Sequence, residues 1–321
     1  MRAVVINRNG GPDVMEVEDR QAPQPGPGQL LVDVAAAGVN YRDVYERENP
    51  AYAGEPPRIL GIEGAGTVRE VGDGVDEFAA GDRVAWVAAA GSYAEQVVLD
   101  AARAVPVPDG VDDDTAAAAL LQGMTAHYLS ASTYPVQPGD AVIVHAAAGG
   151  VGLLLTQMVK LRGGRVIATT GSEEKAELAR ENGADEVIGY DGFAERAREL
   201  TSGEGVAAVY DGVGQATFDG SLVSLRPRGY LVLYGAASGP VPQVDTARLA
   251  AGSNFFTRPT LVHYTRTRDE LLERAGAVFG WLGEGKLRLR IGERYPLADA
   301  RRAHEDLQGR RTSGKLLLLP R

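Results

Sequence analysis

Residues 146–152 read Ala-Ala-Ala-Gly-Gly-Val-Gly. A turn of such small residues lets an anionic ligand come close to backbone N–H groups. At the positive end of a helix, that suits the pyrophosphate of a dinucleotide. Ala146, Gly149 and Gly152 space the turn as AxxGxxG, a variant of the GxGxxG fingerprint with alanine in the first place. The backbone of Ala148, Gly149, Gly150 and Val151 would line the phosphates. The same residues also allow a purely mechanical reading, in which small side chains let a helix start hard against a strand.

A second group of residues bears on which dinucleotide is taken. A site for NAD usually ends its second strand on a carboxylate, about 20 residues past the glycines, that accepts hydrogen bonds from the ribose 2′-OH. Here the β-rich run 165–170 leads into Gly171 and Ser172, and no acid appears before Glu173 and Glu174 in the opening turn of the next helix. Thr169, Thr170, Ser172 and Lys175, with Tyr190 closing the following strand, make a neutral pocket with a lysine and hydroxyls. That composition suits a 2′-phosphate, so NADP(H) is expected. Lys175 reads equally well as a solvated helix lysine paired with Glu173 or Glu174.

These residues need a strand–turn–helix–strand frame, and the neighbouring sequence supplies it. Residues 141–144 are apolar and rich in β-branched side chains, as in a strand buried on both faces. Helical pattern follows at 153–161 and at 173–181, the latter stopped by Gly183, and then comes the strand-like 186–190. Further strands are expected at 206–210 and 230–234, with a helix near 217–225, which argues a parallel doubly wound sheet. Before this region, short strands at 1–6, 14–17, 30–36, 59–71, 83–87, 91–99 and 104–107 alternate with glycine turns and suggest a compact, irregular β-barrel. A helix starts after Asn40, which is placed as its cap, and another opens at 112 with acids in its first turn. After the nucleotide region the chain loses its αβ rhythm: a long helix is expected at 267–282, a strand at 287–291, a short helix at 299–307 and a last strand at 315–319. The fold expected is therefore α/β, with a discontinuous catalytic domain (1–120 and 261–321) wrapped around an inserted nucleotide domain (121–260).

Composition narrows the chemistry. A chain of 321 residues with 44% apolar and 24% charged residues is ordinary soluble-protein material and long enough for two domains. Its net charge of −10 disfavours a partner built on a phosphate backbone. With no cysteine, disulfides, thiol catalysis, iron–sulfur clusters and cysteine-based zinc sites all fall away. No membrane span or secretory h-region is visible, and a cytoplasmic location is expected. The four histidines, His127, His145, His263 and His304, show no metal-ligand spacing. His145 is expected to pack at the strand end, and no GxSxG elbow supports a Ser-His-Asp hydrolase.

Along nearly its whole length the chain resembles the medium-chain dehydrogenase/reductase superfamily. Within that superfamily it resembles the zinc-independent quinone oxidoreductases that include zeta-crystallin. The words that carry the likeness are AAGVNYRDVY, GIEGAGTV, GDRVAW, LLQGMTAHYL, HAAAGGVG, GSEEKAELAR, VYDGVG, GSNFFTRPTL and SGKLLLL, in that order. The resemblance implies a GroES-like β-barrel catalytic domain with an inserted Rossmann-type domain. It also implies NADPH as cofactor, a quinone or conjugated carbonyl compound as substrate, and a homodimer formed through the edge strand of the nucleotide domain near 230–234. The zinc-dependent branch carries a cysteine near Asn40 and a histidine just before the glutamate that is Glu63 here. This chain has Ile62 in the histidine's place and no cysteine, so no zinc is expected.

Without a Lewis acid the acceptor must already be electron-poor, and hydride transfer then needs mainly alignment with modest stabilisation of developing charge. By resemblance, Asn40, Tyr41 and Tyr45 belong to the substrate-facing segment, with Tyr52 a short way on. Asn40 would bond the nicotinamide carboxamide or the acceptor carbonyl, and a tyrosine would stack on a ring or donate its O–H. A helix cap and packing tyrosines are the plainer alternatives. The resemblance further implies that Thr125 touches the nicotinamide ribose or phosphate side and that Gly235 passes beneath the ribose. Ser253, Asn254 and Phe255 would approach the nicotinamide mostly through backbone, and Gly171, Lys175 and Tyr190 would surround the 2′-phosphate. An enone or enal reductase is the nearest rival, and a non-catalytic NADPH-binding protein is the rival of another class.

Overall fold

In the computed structural model, which describes residues 1–320, the chain opens on β1 (Arg2–Ile6), whose last four residues are buried. A turn at Gly10 and Gly11 returns it as β2 (Met15–Asp19), and the alternating run that follows forms the long β3 (Gln29–Val39). Helix α1 (Tyr41–Glu48) leaves directly from β3, with Asn40 as its extended N-cap. Then come β4 (Arg58–Ile59), β5 (Glu63–Val71), β6 (Arg83–Val87), β7 (Gln96–Asp100), β8 (Ala104–Pro106) and α2 (Asp113–Tyr128).

Next come β9 (Ala141–Val144), α3 (Gly150–Leu161), β10 (Arg165–Thr169), α4 (Glu173–Glu181), β11 (Glu186–Ile188), α5 (Phe193–Leu200), β12 (Val206–Asp211) and α6 (Phe218–Val223). The stretch closes with β13 (Leu225–Leu233), α7 (Ala247–Ala250), β14 (Phe255–Thr257) and α8 (Leu261–Tyr264). The last elements are α9 (Arg268–Gly283), β15 (Ile291–Pro296), α10 (Ala300–Gln308) and β16 (Lys315–Leu319).

Two units emerge. The first comprises Met1–Leu121 and the chain from Thr265 onward, and the second is Gln122–Tyr264. In the first, β15-β16-β3-β5-β6-β8 form one sheet with β7 also paired to β3, and β2-β1-β4 form a smaller one. Its core gathers Val4, Ile6, Val32, Val68, Trp86 and Leu316 from both ends of the chain. The second unit holds a parallel sheet in the order β11-β10-β9-β12-β13-β14. Numbered within the unit, that is 3-2-1-4-5-6, whose order reverses between β9 and β12, and in such sheets ligands bind beyond the carboxyl ends of the strands at the reversal. β9 buries Val142, Ile143 and Val144, with α3 packed against the strand and Ile143 in one core with Phe193 of α5 and Phe218 of α6, as its unbroken apolar run requires.

Two expectations are corrected. The strand expected at 287–291 lies later, at β15, paired in parallel with β16. The alternation of leucine and arginine at 287–290 imitates a strand, but Leu287 donates its N–H to Trp281 O at 3.0 Å and is buried behind the end of α9. The edges of the parallel sheet are β11 and β14, and residues 230–233 belong instead to the inner strand β13. Among the described residues no helix is long and apolar enough to cross a membrane.

Candidate active site

The carboxyl end of β9 runs into His145 and then Ala146, whose φ of 50° is left-handed. The alanine in the first place of the glycine spacing therefore adopts a conformation that glycine would adopt freely. Ala146 donates its N–H to the Tyr190 hydroxyl at 3.1 Å, Ala147 to Thr169 O at 3.2 Å, and Gly149 to Ala146 O at 2.8 Å. Gly149 is the N-cap of α3 and offers no side-chain cap, so the first N–H groups of this helix are left for a ligand. Gly152 is required sterically: a Cβ there would stand 2.7 Å from Ala147 Cα and run into Ala146 O. A Cβ on Gly150 would strike the Gln122 carboxamide, which the preceding helix lays over the turn. Thr125 follows one turn later on α2 and is buried. A turn open at its N–H groups, with space held by glycines, fits a dinucleotide pyrophosphate.

His145 is fully buried, and its two ring nitrogens meet Thr169 Oγ1 at 2.8 Å and Ser221 Oγ at 2.9 Å. Ser221 donates its hydroxyl hydrogen to Asp211 Oδ2 at 2.9 Å, so His145 Nε2 carries the proton and donates to Ser221, and Nδ1 accepts from Thr169. Asp211 also accepts from the N–H groups of Val213 and Gly214 and from the Thr217 hydroxyl. Burial lowers His145 to about 4 and keeps it neutral, although the Asp211 charge opposes the shift. The chain thus brings a Ser, a His and an Asp together, but with the serine in the middle and its O–H committed to the carboxylate. The set braces the ends of β9, β10 and β12 and activates no nucleophile.

At the end of β10, a Cβ on Gly171 would meet nothing within 4 Å, and Ser172 caps α4 by accepting from the Lys175 N–H at 3.4 Å. Glu173 is engaged by Arg180 at 2.6 Å. Tyr190, expected beside the 2′-phosphate, has its hydroxyl on the Ala146 N–H of the 146–152 turn. Gly235 lies against Gly212, where a Cβ would come 2.5 Å from Gly212 O. The register corrects the placement of Ser253, Asn254 and Phe255. Phe255 is level with Tyr230, Ala208 and Val142, near the amino ends of the strands, so these three residues lie away from the carboxyl edge. Asn254 donates to Arg226 O at 2.8 Å, and the Phe255 ring stacks on Tyr230 at 4.4 Å. Thr257, level with Val232 and Val144, and then Arg258 are the residues of this segment that reach the carboxyl edge.

In the first unit Asn40 stands at the junction of β3 and α1 and is buried. At the helix start Asn40 N–H donates to the Asp43 carboxylate oxygen Oδ2 at 2.8 Å, and Asp43 N–H donates to Asn40 O at 3.0 Å. The Asn40 carboxamide is instead turned to Glu63 and Lys315, donating to Glu63 Oε2 at 2.9 Å and accepting from Lys315 Nζ at 2.7 Å. No local pattern marks Glu63 and Lys315 as its partners, because they come from β5 and β16.

Tyr41, Tyr45 and Tyr52 form a file of rings, 6.2 Å and 5.5 Å apart. The Arg42 guanidinium lies 5.2 Å over Tyr52 and donates to Tyr52 O. Tyr41 sends its hydroxyl 3.4 Å toward Leu307 O, and burial raises its pKa. Tyr52 is the exposed member of the file.

Behind Asn40 runs a directed chain of hydrogen bonds. Arg47, a donor only, meets His304 Nδ1 at 2.8 Å, so His304 Nε2 carries the proton and donates to the Tyr93 oxygen at 3.1 Å. Tyr93 in turn donates to Asp43 Oδ2 at 2.9 Å. Asp43 Oδ1 is buried without a partner, and burial, reinforced by Glu46, pushes this carboxyl up to about 7.

A parallel sheet in the order 3-2-1-4-5-6, with a glycine turn at the carboxyl end of its first strand, is the frame of a dinucleotide-dependent oxidoreductase. Comparison with known proteins gives the family. Residues 26–109 match the alcohol dehydrogenase GroES-like domain, and residues 150–275 match the zinc-binding dehydrogenase domain. The quinone oxidoreductase of Pseudomonas aeruginosa is 44% identical over 315 residues, covering 97% of each chain. A 2-haloacrylate reductase from Burkholderia is 42% identical, covering 99% of this chain and 98% of its own. A mycobacterial protein solved in complex with NADPH superposes with a TM-score of 0.97 at 50% identity, over 100% of both chains. The chain belongs to the quinone oxidoreductase group of the medium-chain dehydrogenase/reductase superfamily, with the GroES-like and Rossmann-type domains of that group. Although one matched domain is described as zinc-binding, the chain has no cysteine. Among the described residues no three His, Asp or Glu side chains stand together as a metal site.

Proposed function

We propose that the protein is an NADPH-dependent quinone oxidoreductase that works without a metal. The observation that carries this reading is the glycine turn 146–152 at the head of α3, followed by a second strand that ends on threonines and glycine rather than on a carboxylate. When bound, NADPH supplies the hydride that reduces the acceptor. The N–H groups at the start of α3 hold the pyrophosphate. Lys175, Ser172 and Gly171 receive the 2′-phosphate, and Gly235, packed on Gly212, keeps the floor beneath the ribose flat. Thr125 borders the nicotinamide ribose. Asn40 presents its carboxamide to the nicotinamide or the acceptor oxygen. The tyrosine file offers Tyr45 and Tyr52 for stacking on an aromatic acceptor.

A quinone suits these groups because it needs alignment more than activation. The family relationship to a 2-haloacrylate reductase keeps conjugated carbonyl compounds as the second substrate class. We also read the protein as cytoplasmic, and as a homodimer formed along β14, the edge strand beside β13. The test is NADPH oxidation with benzoquinone, phenanthrenequinone, an enal and a 2-haloacrylate. Turnover of the quinones is the expected result. Turnover of the enal or haloacrylate alone would move the assignment to the double-bond reductases, and NADPH binding without turnover of any would remove catalysis.

A further inference from the structure

The amide of Asn40 is held by an ion pair that no solvent reaches. Glu63 and Lys315 are both fully buried, and Lys315 Nζ contacts Glu63 Oε2. Lys315 donates to Asn40 Oδ1 at 2.7 Å, and Asn40 Nδ2 donates to Glu63 Oε2 at 2.9 Å. A cation on the oxygen and a carboxylate on the nitrogen leave the amide only one orientation, since turning it over would set oxygen against carboxylate and N–H against ammonium. The other carboxylate oxygen, Oε1, accepts the Leu121 N–H at 2.6 Å, which fixes Glu63 in turn. Gly38 makes room for the pair: a Cβ there would stand 2.5 Å from Glu63 Oε2 and 2.8 Å from Lys315 Nζ.

A buried ion pair is seldom a net source of stability, because desolvation offsets the attraction. We propose that Glu63 and Lys315 are positioning residues, which hold the Asn40 carboxamide in one orientation for hydride transfer. The proposal rests on the reading that Asn40 faces the nicotinamide or the acceptor. Neither charged group touches substrate, and both act through Asn40. The ammonium polarises the amide oxygen, and the amide N–H groups are tied back to Glu63 Oε2 and, at 3.4 Å, to Gly38 O. The amide can then bond a ligand without first paying to be ordered.

The test compares Asn40→Ala, the neutral double variant Glu63→Gln with Lys315→Met, and the triple combination. Neutralising both charges together avoids stranding a buried ion. Measured quantities are kcat with a quinone, the deuterium isotope effect from NADPH labelled at the transferred hydrogen, the NADPH Kd and Tm. The expected result is a fall in kcat of roughly 10- to 100-fold in the double variant. The isotope effect should rise, Kd should be unchanged, and adding Asn40→Ala should give no further loss. Unchanged kcat in a folded double variant, with Asn40→Ala still damaging, would overturn the positioning role alone. So would a loss that multiplies with that of Asn40→Ala. If Asn40→Ala leaves kcat intact, the acceptor-side reading of Asn40 fails and takes the positioning role with it. Should the double variant not fold, Gly38→Ala applies the same question by pushing on the pair: a lower kcat with unchanged Kd supports the proposal, and unchanged kcat overturns it.

Discussion

Replacing Asp43 with asparagine isolates the buried carboxyl at the end of the Arg47–His304–Tyr93 chain. Asparagine keeps an oxygen for the Asn40 N–H and the Tyr93 hydroxyl and removes only the charge. Folded Asp43 holds its proton up to about 7, whereas the unfolded chain releases it near 3.8. Between these values the unfolded state binds fewer protons than the folded state, so this group makes stability fall as pH rises. At about 1.4 kcal/mol per pH unit, the full effect is on the order of 4 kcal/mol, complete above the folded value.

Two other groups act with the opposite sign. His304, lowered to about 3 by burial and the Arg47 charge, and His145, lowered to about 4 by burial, are neutral in the fold and protonate near 6.5 when unfolded. Their contribution therefore rises with pH up to that value. Subtracting the variant's curve from the parent's cancels the histidines and leaves Asp43. The assay is urea unfolding followed by tryptophan fluorescence. The two tryptophans, Trp86 and Trp281, both lie in the unit that carries Asp43, so they report on the relevant transition. Asp43→Asn should gain on the parent steadily from about pH 4 to about pH 7 and then run parallel to it. Profiles that stay parallel across the whole range would refute the reasoning.

Three further substitutions probe the nucleotide turn. Ala146→Gly relieves a left-handed alanine and should stabilise the protein by about 1 kcal/mol in thermal or urea unfolding, with NADPH affinity retained. Gly152→Ala puts a methyl group 2.7 Å from Ala147 Cα and should destabilise the protein by about 1–3 kcal/mol, with weaker NADPH binding by fluorescence titration. Lys175→Ala should weaken NADPH by roughly tenfold and leave NADH nearly unchanged, since a single charge-assisted bond to the 2′-phosphate contributes about that much. Equal losses for both nucleotides would show that Lys175 does not meet the phosphate.

What could be read from sequence follows the range of the interactions involved. The turn at 146–152, the buried β9 and the cap position of Asn40 are local, and their residue types carry the information. β14 has only three residues between turns and makes no period, so the sequence alone makes the inner strand β13 look like an edge. The same lack of register hides that Ser253, Asn254 and Phe255 lie toward the amino ends of the strands, while Thr257 and Arg258 reach the carboxyl edge. Asn40 was legible as a helix cap, yet its side chain does something else. Its partner Lys315 is 275 residues away, and no local pattern announces that pair. The order within the Asp211, Ser221 and His145 cluster likewise depends on the ends of β9 and β12 meeting α6, which spacing alone does not convey.

With no cysteine and with Ile62 ahead of Glu63, the chain is proposed to transfer hydride with no metal in attendance. The most direct measurement is quinone-dependent NADPH oxidation by protein treated exhaustively with a strong chelator and checked for metal by mass spectrometry. Metal-free protein should turn over fully, with no change when zinc is added back. Activity that vanishes on chelation and returns with stoichiometric zinc would contradict it.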